Sequence, residues 1–395
     1  MRLALTCVAF TGAALGLGLG LASGCSAHGQ ATPGFEPFDA GFDSSRPVDS
    51  GQFAPPAEAG AIFGEGCATA KAPIQRDPIY MLFVLDGSGS MKEDGKWRAA
   101  VPALSAFIDS LAAKKDTSFG LGLTVFSDTL DKTGGAGPYD TMDVPIAFVD
   151  DAQASALKSR IGFARPYGQT PTYSVLSGQY ALLEKYAPSA PLETQRGHKV
   201  LVLMTDGVPT PDADTQKPKI IQAAKDELAL AAPVGPITTF AVGIGYTFPL
   251  DQQVYDPLFM AQLALAGGAP NQPCLVDEIR FQSNMCHFQL TPLGGDATQL
   301  QLAMAIAFEK IRAKVTSCEL VLDRSGIVDP TLVNVVFTDA HATEHVVPED
   351  PIDGWTYDDP IAPTKVTLHG QSCQDLKDNP SGDVEVVLGC KTIVK

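Results

Sequence analysis

Leu82-Phe83-Val84-Leu85 and Val200-Leu201-Val202-Leu203-Met204 carry no polar break, and each leads within two residues into an aspartate, Asp86 or Asp206. Short apolar runs bounded by turn-forming residues suit strands buried on both faces, as in a parallel sheet. After the first run, Trp97, Val101, Leu104, Ile108 and Leu111 recur at helical spacing, with Pro102 either kinking that helix or lying near its start. Further strands are expected at 121–126, 239–243 and, more weakly, 144–149. Helices are expected around Tyr173, Leu176, Tyr180 and Leu183, over 215–231, and over 297–315, where Leu300, Met304, Ala307 and Ile311 share a face. This alternation predicts an α/β class with a doubly wound, mainly parallel sheet and helices on both faces. Such sheets bind ligands at the C-terminal ends of their strands.

The polar residues that carry chemistry fall at those ends. Asp86-Gly87-Ser88-Gly89-Ser90 follows the first strand, Gly168-Gln169-Thr170-Pro171 precedes the helix around Tyr173, and Thr205-Asp206-Gly207 follows the strongest strand. Two carboxylates and three hydroxyls converge on one rim, and all five offer oxygen. A hard cation such as Mg²⁺ suits that set, with roughly six oxygens at about 2.0–2.1 Å and some positions left to water. Taken singly, Asp86 and Ser88 also fit a turn, and Thr170 a helix cap.

Asp86, Ser88 and Ser90, then Thr170, then Asp206 resemble the von Willebrand factor type A domain, whose metal-ion-dependent adhesion site reads Asp-x-Ser-x-Ser, then Thr, then Asp. The resemblance covers roughly residues 78–316. It implies a Rossmann-like fold and Mg²⁺ (or Mn²⁺ or Ca²⁺) at the rim. The hydroxyls would bind the ion directly and one or both aspartates through water. The ion keeps an open position for an acidic residue of a protein partner.

The N-terminus bears on compartment. Arg2 precedes a long apolar stretch, residues 3–22, that ends at Ala22-Ser23-Gly24-Cys25. Small residues before a cysteine resemble a bacterial lipobox, so residues 1–24 read as a lipoprotein signal peptide and Cys25 as the lipidated residue. The alternatives are an uncleaved anchor or a plain secretory signal; each exports the chain. Residues 25–66, rich in Gly, Pro, Ala, Ser and Asp, read as a flexible tether. The expected location is the cell envelope, anchored by lipid in the outer membrane.

Export places Cys67, Cys274, Cys286, Cys318, Cys373 and Cys390 in an oxidising compartment, where an even number suggests three disulfides. The expected pairs are Cys274–Cys286 and Cys373–Cys390 as local loops, and Cys67–Cys318 as a clamp across the central domain. On this reading residues 67–316 form the central domain, with 268–295 as an insertion. Residues 317–395, short and β-branched between Pro, Gly and Asp turns, form a small disulfide-stapled all-β domain.

His341-Ala342-Thr343-Glu344-His345 spells the H-x-x-E-H pattern of inverted zinc proteases. That chemistry needs a helix so that both histidines share a face. Here the flanking residues predict strand, turn, strand. A net charge of −17 over 395 residues, with no Lys/Arg-rich run, argues against a nucleic-acid surface. The leading reading is an exported binding module and not an enzyme. The alternatives are a structural envelope scaffold without metal-dependent binding, or a metal-dependent hydrolase, which lacks a positioned general base in the sequence.

Overall fold

The apolar runs that end on aspartates become the two central strands of a six-stranded sheet. In the computed structural model the described residues are 70–73, 75–114, 119–130, 139–188, 197–231, 234–246, 255–271, 274, 285–291, 297–322, 329–339, 341–379, 383–388 and 390–395. The signal-like segment, the tether, Cys25 and Cys67 lie outside them.

The sheet runs β5 (Val144–Phe148), β4 (Phe119–Phe126), β3 (Ile79–Asp86), β6 (His198–Thr205), β7 (Ile237–Ile244), β8 (Phe288–Leu290). All neighbours are parallel except β5, which lies antiparallel on β4 at one edge. Every residue of β3 and β4 is buried, which explains their unbroken apolar character. Period-two alternation sends Met81, Phe83 and Leu85 to one face and Tyr80, Leu82 and Val84 to the other.

The first face packs on α1 (Lys96–Lys114), α2 (Asp151–Phe163) and α6 (Ala297–Val315). The second packs on α3 (Thr172–Lys185), α4 (Ala213–Leu228) and α5 (Pro257–Ala266). Phe83 and Phe107 meet Phe308 with ring centroids 5.2 and 5.5 Å away, joining β3, α1 and α6. Each such fully buried side chain contributes about 1.5–3 kcal/mol through burial. Helix α1 continues through Pro102.

A smaller layer holds β9 (Glu319–Val321), β10 (Val333–Thr338), β11 (Glu344–Val347), β12 (Trp355–Tyr357), β13 (Lys365–Leu368) and β14 (Asp383–Leu388). It departs from the sequence reading in three ways. First, it is not all-β: α7 (Gly370–Asp378) follows β13, and its Leu376 joins the core around Trp355, Phe337 and Val386. Second, it takes strands from before the α/β layer. Strand β1 (Ala70–Pro73) pairs with β14, Ala70 opposite Leu388, and β2 (Gln75–Arg76) pairs with β9. The resulting sheets run β1-β14-β10-β11 and β12-β13-β9-β2. Strands β1 and β2, which precede β3 in the chain, are thus part of the small layer's sheets.

Third, the cysteines pair differently. Cys274–Cys286 forms as expected. Cys318, however, bonds Cys373, which replaces both Cys373–Cys390 and Cys67–Cys318. The reason is sheet geometry. Cys318 precedes β9, β9 pairs with β13, and β13 leads two residues later into α7, which carries Cys373. Cys390 is also disulfide-bonded.

The expected insertion contributes β8 to the sheet edge. Helices α2 and α5 are additions to the sequence reading, although α2 buries Ala154, Leu157 and Ile161 at helical spacing. Seven of the ten residues of α5 are buried and Gln262 is its one polar residue, so no polar face marks it.

Candidate metal-binding site

The rim is built by three chain segments, those that follow the C-terminal ends of β3 and β6 and the loop that leads into α3. Strand β3 ends on Asp86, which is wholly buried. Its Oδ1 accepts the Ser88 backbone N–H at 2.7 Å, closing a tight turn, and its Oδ2 accepts the Thr205 hydroxyl at 2.5 Å. The turn-forming role expected of a lone aspartate is therefore real here, but it engages only one side of the carboxylate.

The loop is fastened to its neighbours by backbone bonds. Gly87 N–H donates to Phe126 O at 2.8 Å and Gly89 N–H to Gly168 O at 3.1 Å, while Tyr167 N–H donates to Gly87 O at 2.7 Å. A Cβ on Gly87 would stand 2.9 Å from Phe126 O, so the close approach needs glycine. Behind it, Arg160 pairs with Asp128 and Asp143 at 2.8 Å each, fixing the segment that follows β4.

The five predicted residues come together. The Ser88 and Ser90 hydroxyls are 3.1 Å apart, and Ser90 donates to Asp206 Oδ1 at 2.8 Å. Asp206 is fully buried at the end of β6. Thr170 arrives from the loop before α3. Its backbone exchanges bonds with Thr210: Thr170 N–H donates to Thr210 Oγ1 at 2.8 Å, and Thr210 N–H to Thr170 O at 2.9 Å. The N-cap of α3 is Pro171, so Thr170 is not the capping residue. Its hydroxyl faces Gly207, where an added Cβ would lie 3.1 Å from Oγ1.

Burial and the charge of Asp206 push the Asp86 carboxyl up to about 7. Burial also raises Asp206, opposed by Lys96 and by the hydroxyl of Ser90. Two adjacent carboxylates with little solvent resist full ionisation unless a cation compensates them. One cation was not foreseen. Lys96, the first residue of α1, is buried and donates to Asp206 Oδ2 at 2.7 Å. No sequence signal marks it, because its reach depends on the 3-10 turn Gly89–Gly95 that precedes the helix.

The other candidates lie elsewhere. His341 and Glu344–His345 sit on a hairpin, β10 paired with β11, and not on a helix. His345 stacks on Phe337, and His341 is exposed in the turn. Cys286 is held in its disulfide beside a wholly buried His287.

Residues 81–275, just under half of the chain, match the family model described as the von Willebrand factor type A domain. No curated protein matches the sequence. Among solved structures, the chain is similar to the pilus adhesin SpaC from Lactobacillus rhamnosus GG in its open conformation. The identity is 15% and the TM-score 0.44, over 80% of this chain and 40% of that one. It is similar to a von Willebrand factor type A protein from Catenulispora acidiphila at 14% identity and TM-score 0.37, over 84% and 67%. It is also similar to proximal thread matrix protein 1 from the mussel byssus with a zinc-occupied MIDAS motif, at 16% identity and TM-score 0.36, over 66% and 52%. The chain thus spans 40% of the length of the pilus adhesin.

The family implies a divalent ion at this rim, and the residues fit one. Among the described residues, no group of three or more His, Cys, Asp or Glu could hold a metal. The rim does not need one, because its donors are three hydroxyls and two carboxylates, an oxygen set suited to a hard cation. The acceptors outnumber the nearby cations, and both carboxylates are out of water.

Proposed function

We propose that this protein is an exported, lipid-anchored binding module that captures an acidic group on a protein partner through a divalent ion at this rim. The observation that carries the reading is the meeting of Asp86, Ser88, Ser90, Thr170 and Asp206, from three separate chain segments, at the edge where such sheets bind ligands. The three hydroxyls would hold the ion. The two carboxylates would bind it through water or adjust its charge. Because neutral hydroxyls supply much of the shell, the ion keeps Lewis acidity for a carboxylate brought by the partner. Mg²⁺ is the expected ion, with Mn²⁺ and Ca²⁺ as substitutes.

The rest of the chain serves delivery. Residues 1–24 act as the signal peptide, Cys25 carries the lipid, and 25–66 hold the folded part away from the membrane. The outer membrane is the expected anchor. The −17 charge would ordinarily repel an acidic partner; a divalent ion reverses that sign at one point on the surface.

The test is capture of envelope proteins by the purified chain in Mg²⁺, in chelator, and with Asp86→Ala. Partners recovered only with Mg²⁺, and lost in the variant, support the reading. Capture that ignores Mg²⁺ assigns the protein to the scaffold class. Mass spectrometry of the mature membrane-extracted protein should find diacylglycerol on Cys25, and Cys25→Ala should release it.

A further inference from the structure

Lys96 stands apart among the rim residues because it is a cation built into a place meant for a cation. It is buried, its Nζ lies 2.7 Å from Asp206 Oδ2, and it also reaches Ser90 O at 3.4 Å. Asp206 Oδ1 meanwhile accepts from Ser90. The carboxylate is therefore held from both sides, one oxygen turned to α1 and the other to the loop that carries the serines.

We propose that Lys96 is a positioning residue that acts as a resident counter-cation for Asp206, setting how tightly the rim holds a divalent ion and how much positive charge that ion shows a ligand. The inference rests on the adhesion-site reading above and names what adjusts that site. Without a metal, Asp86 and Asp206 are both buried and close enough to act on each other, and their mutual repulsion favours opening of the loops. The ammonium cancels one of these charges and keeps the hydroxyls aimed at the rim. With a divalent ion present, the charges sum differently. Two carboxylates alone would neutralise it, whereas two carboxylates and Lys96 leave one net positive charge. That surplus favours an anionic ligand such as a carboxylate, at the cost of weaker metal binding. Lys96 lies on an α-helix and not on a loop, so its position is fixed by the packing of α1 against β3 and α6.

The test compares wild type, Lys96→Met and Lys96→Arg, all stripped with chelator and then titrated with Mn²⁺ by calorimetry, with melting followed in parallel. Lys96→Met removes the charge and keeps the length. It should bind Mn²⁺ at least about tenfold more tightly, since a like charge has been removed from a low-dielectric site. Its melting temperature without metal should fall by about 5 °C or more, as for a broken buried ion pair, and saturating Mn²⁺ should restore it. Lys96→Arg keeps the charge and should stay near wild type in Mn²⁺ affinity. Acetate, followed through paramagnetic broadening of its methyl signal, should bind the Mn²⁺-loaded Lys96→Met protein several-fold more weakly than wild type.

If wild type binds Mn²⁺ and Lys96→Met binds it no more tightly, the counter-cation role is overturned while the adhesion-site reading stands. If wild type binds none but Lys96→Met does, the counter-cation role is supported and the adhesion-site reading fails. If neither binds, both are overturned.

Discussion

Two buried polar constellations sit on the same sheet, and their difference separates structure from function. One is the rim of Asp86, Ser88, Ser90, Thr170 and Asp206. The other is Tyr255, His287 and Gln289, near β7 and β8. In the second, the Tyr255 hydroxyl meets His287 Nε2 at 2.8 Å and Gln289 Oε1 at 2.5 Å, and Gln289 Nε2 donates to Gly245 O at 2.8 Å. Glycines at 243 and 245 leave no room for a Cβ against the Tyr255 ring. The cluster is electrically neutral, because burial holds His287 at about 4, uncharged at neutral pH. Its hydroxyl, Nε2 and amide groups bond one another, while His287 Nδ1 is buried without a hydrogen-bond partner among the described residues. The rim has the opposite character: two buried carboxylates, three hydroxyls and a single ammonium. A buried surplus of acceptors is what a cation site requires before the cation arrives.

The sharpest way to break this contrast is to remove charge from the rim without changing its shape. Asp86→Asn should abolish measurable Mg²⁺ binding, a loss of at least about 100-fold. The same change should leave metal-free stability equal or higher, because it relieves repulsion against Asp206. Calorimetry and melting without metal check both halves. A clear loss of metal-free stability would mean the rim is a structural network like the other.

The neutral cluster should answer to pH instead of metal. The unfolded chain takes up a proton on His287 below about 6.5, whereas the folded chain does so only near 4. Its contribution is therefore full above 6.5 and falls as pH drops from 6.5 to 4, by about 3 kcal/mol in all. Denaturant titrations of wild type and His287→Gln across that range should converge by this amount. Parallel curves would refute it. Tyr255→Phe deletes the hydroxyl that both neighbours share and should cost about 1–3 kcal/mol. Because that cluster takes no part in the rim, Mg²⁺ affinity should be unchanged.

The smallest expected effect lies at Gly207. Gly207→Ala places a methyl about 3.1 Å from Thr170 Oγ1, tight enough to displace that hydroxyl slightly. Mg²⁺ affinity should weaken a few-fold, with stability changed by about 1 kcal/mol or less. An unchanged affinity would remove Thr170 from the shell.

How much of this was legible in the sequence follows from distance along the chain. Asp86, Ser88 and Ser90 are contiguous, and Thr170 and Asp206 each abut a readable element, so the rim could be named residue by residue. Lys96 could not, because the 3-10 turn before α1, not a spacing rule, brings it to Asp206. Strands β3 and β6 were plain because full burial leaves an unbroken apolar run. Strands β1 and β2 were not, since two to four residues acquire meaning only when paired with β14 and β9, hundreds of positions away. The same long-range pairing explains why local loop length misassigned Cys318 and Cys373.

The central claim is that this rim holds a divalent ion through its hydroxyls. Crystals of the chain grown with Mn²⁺ and measured at the manganese edge test it most directly. The account predicts one anomalous peak at the rim, with the Ser88, Ser90 and Thr170 oxygens within about 2.2 Å and water completing a sixfold shell. A rim with no peak at saturating Mn²⁺, closed by the Lys96–Asp206 pair alone, would contradict it.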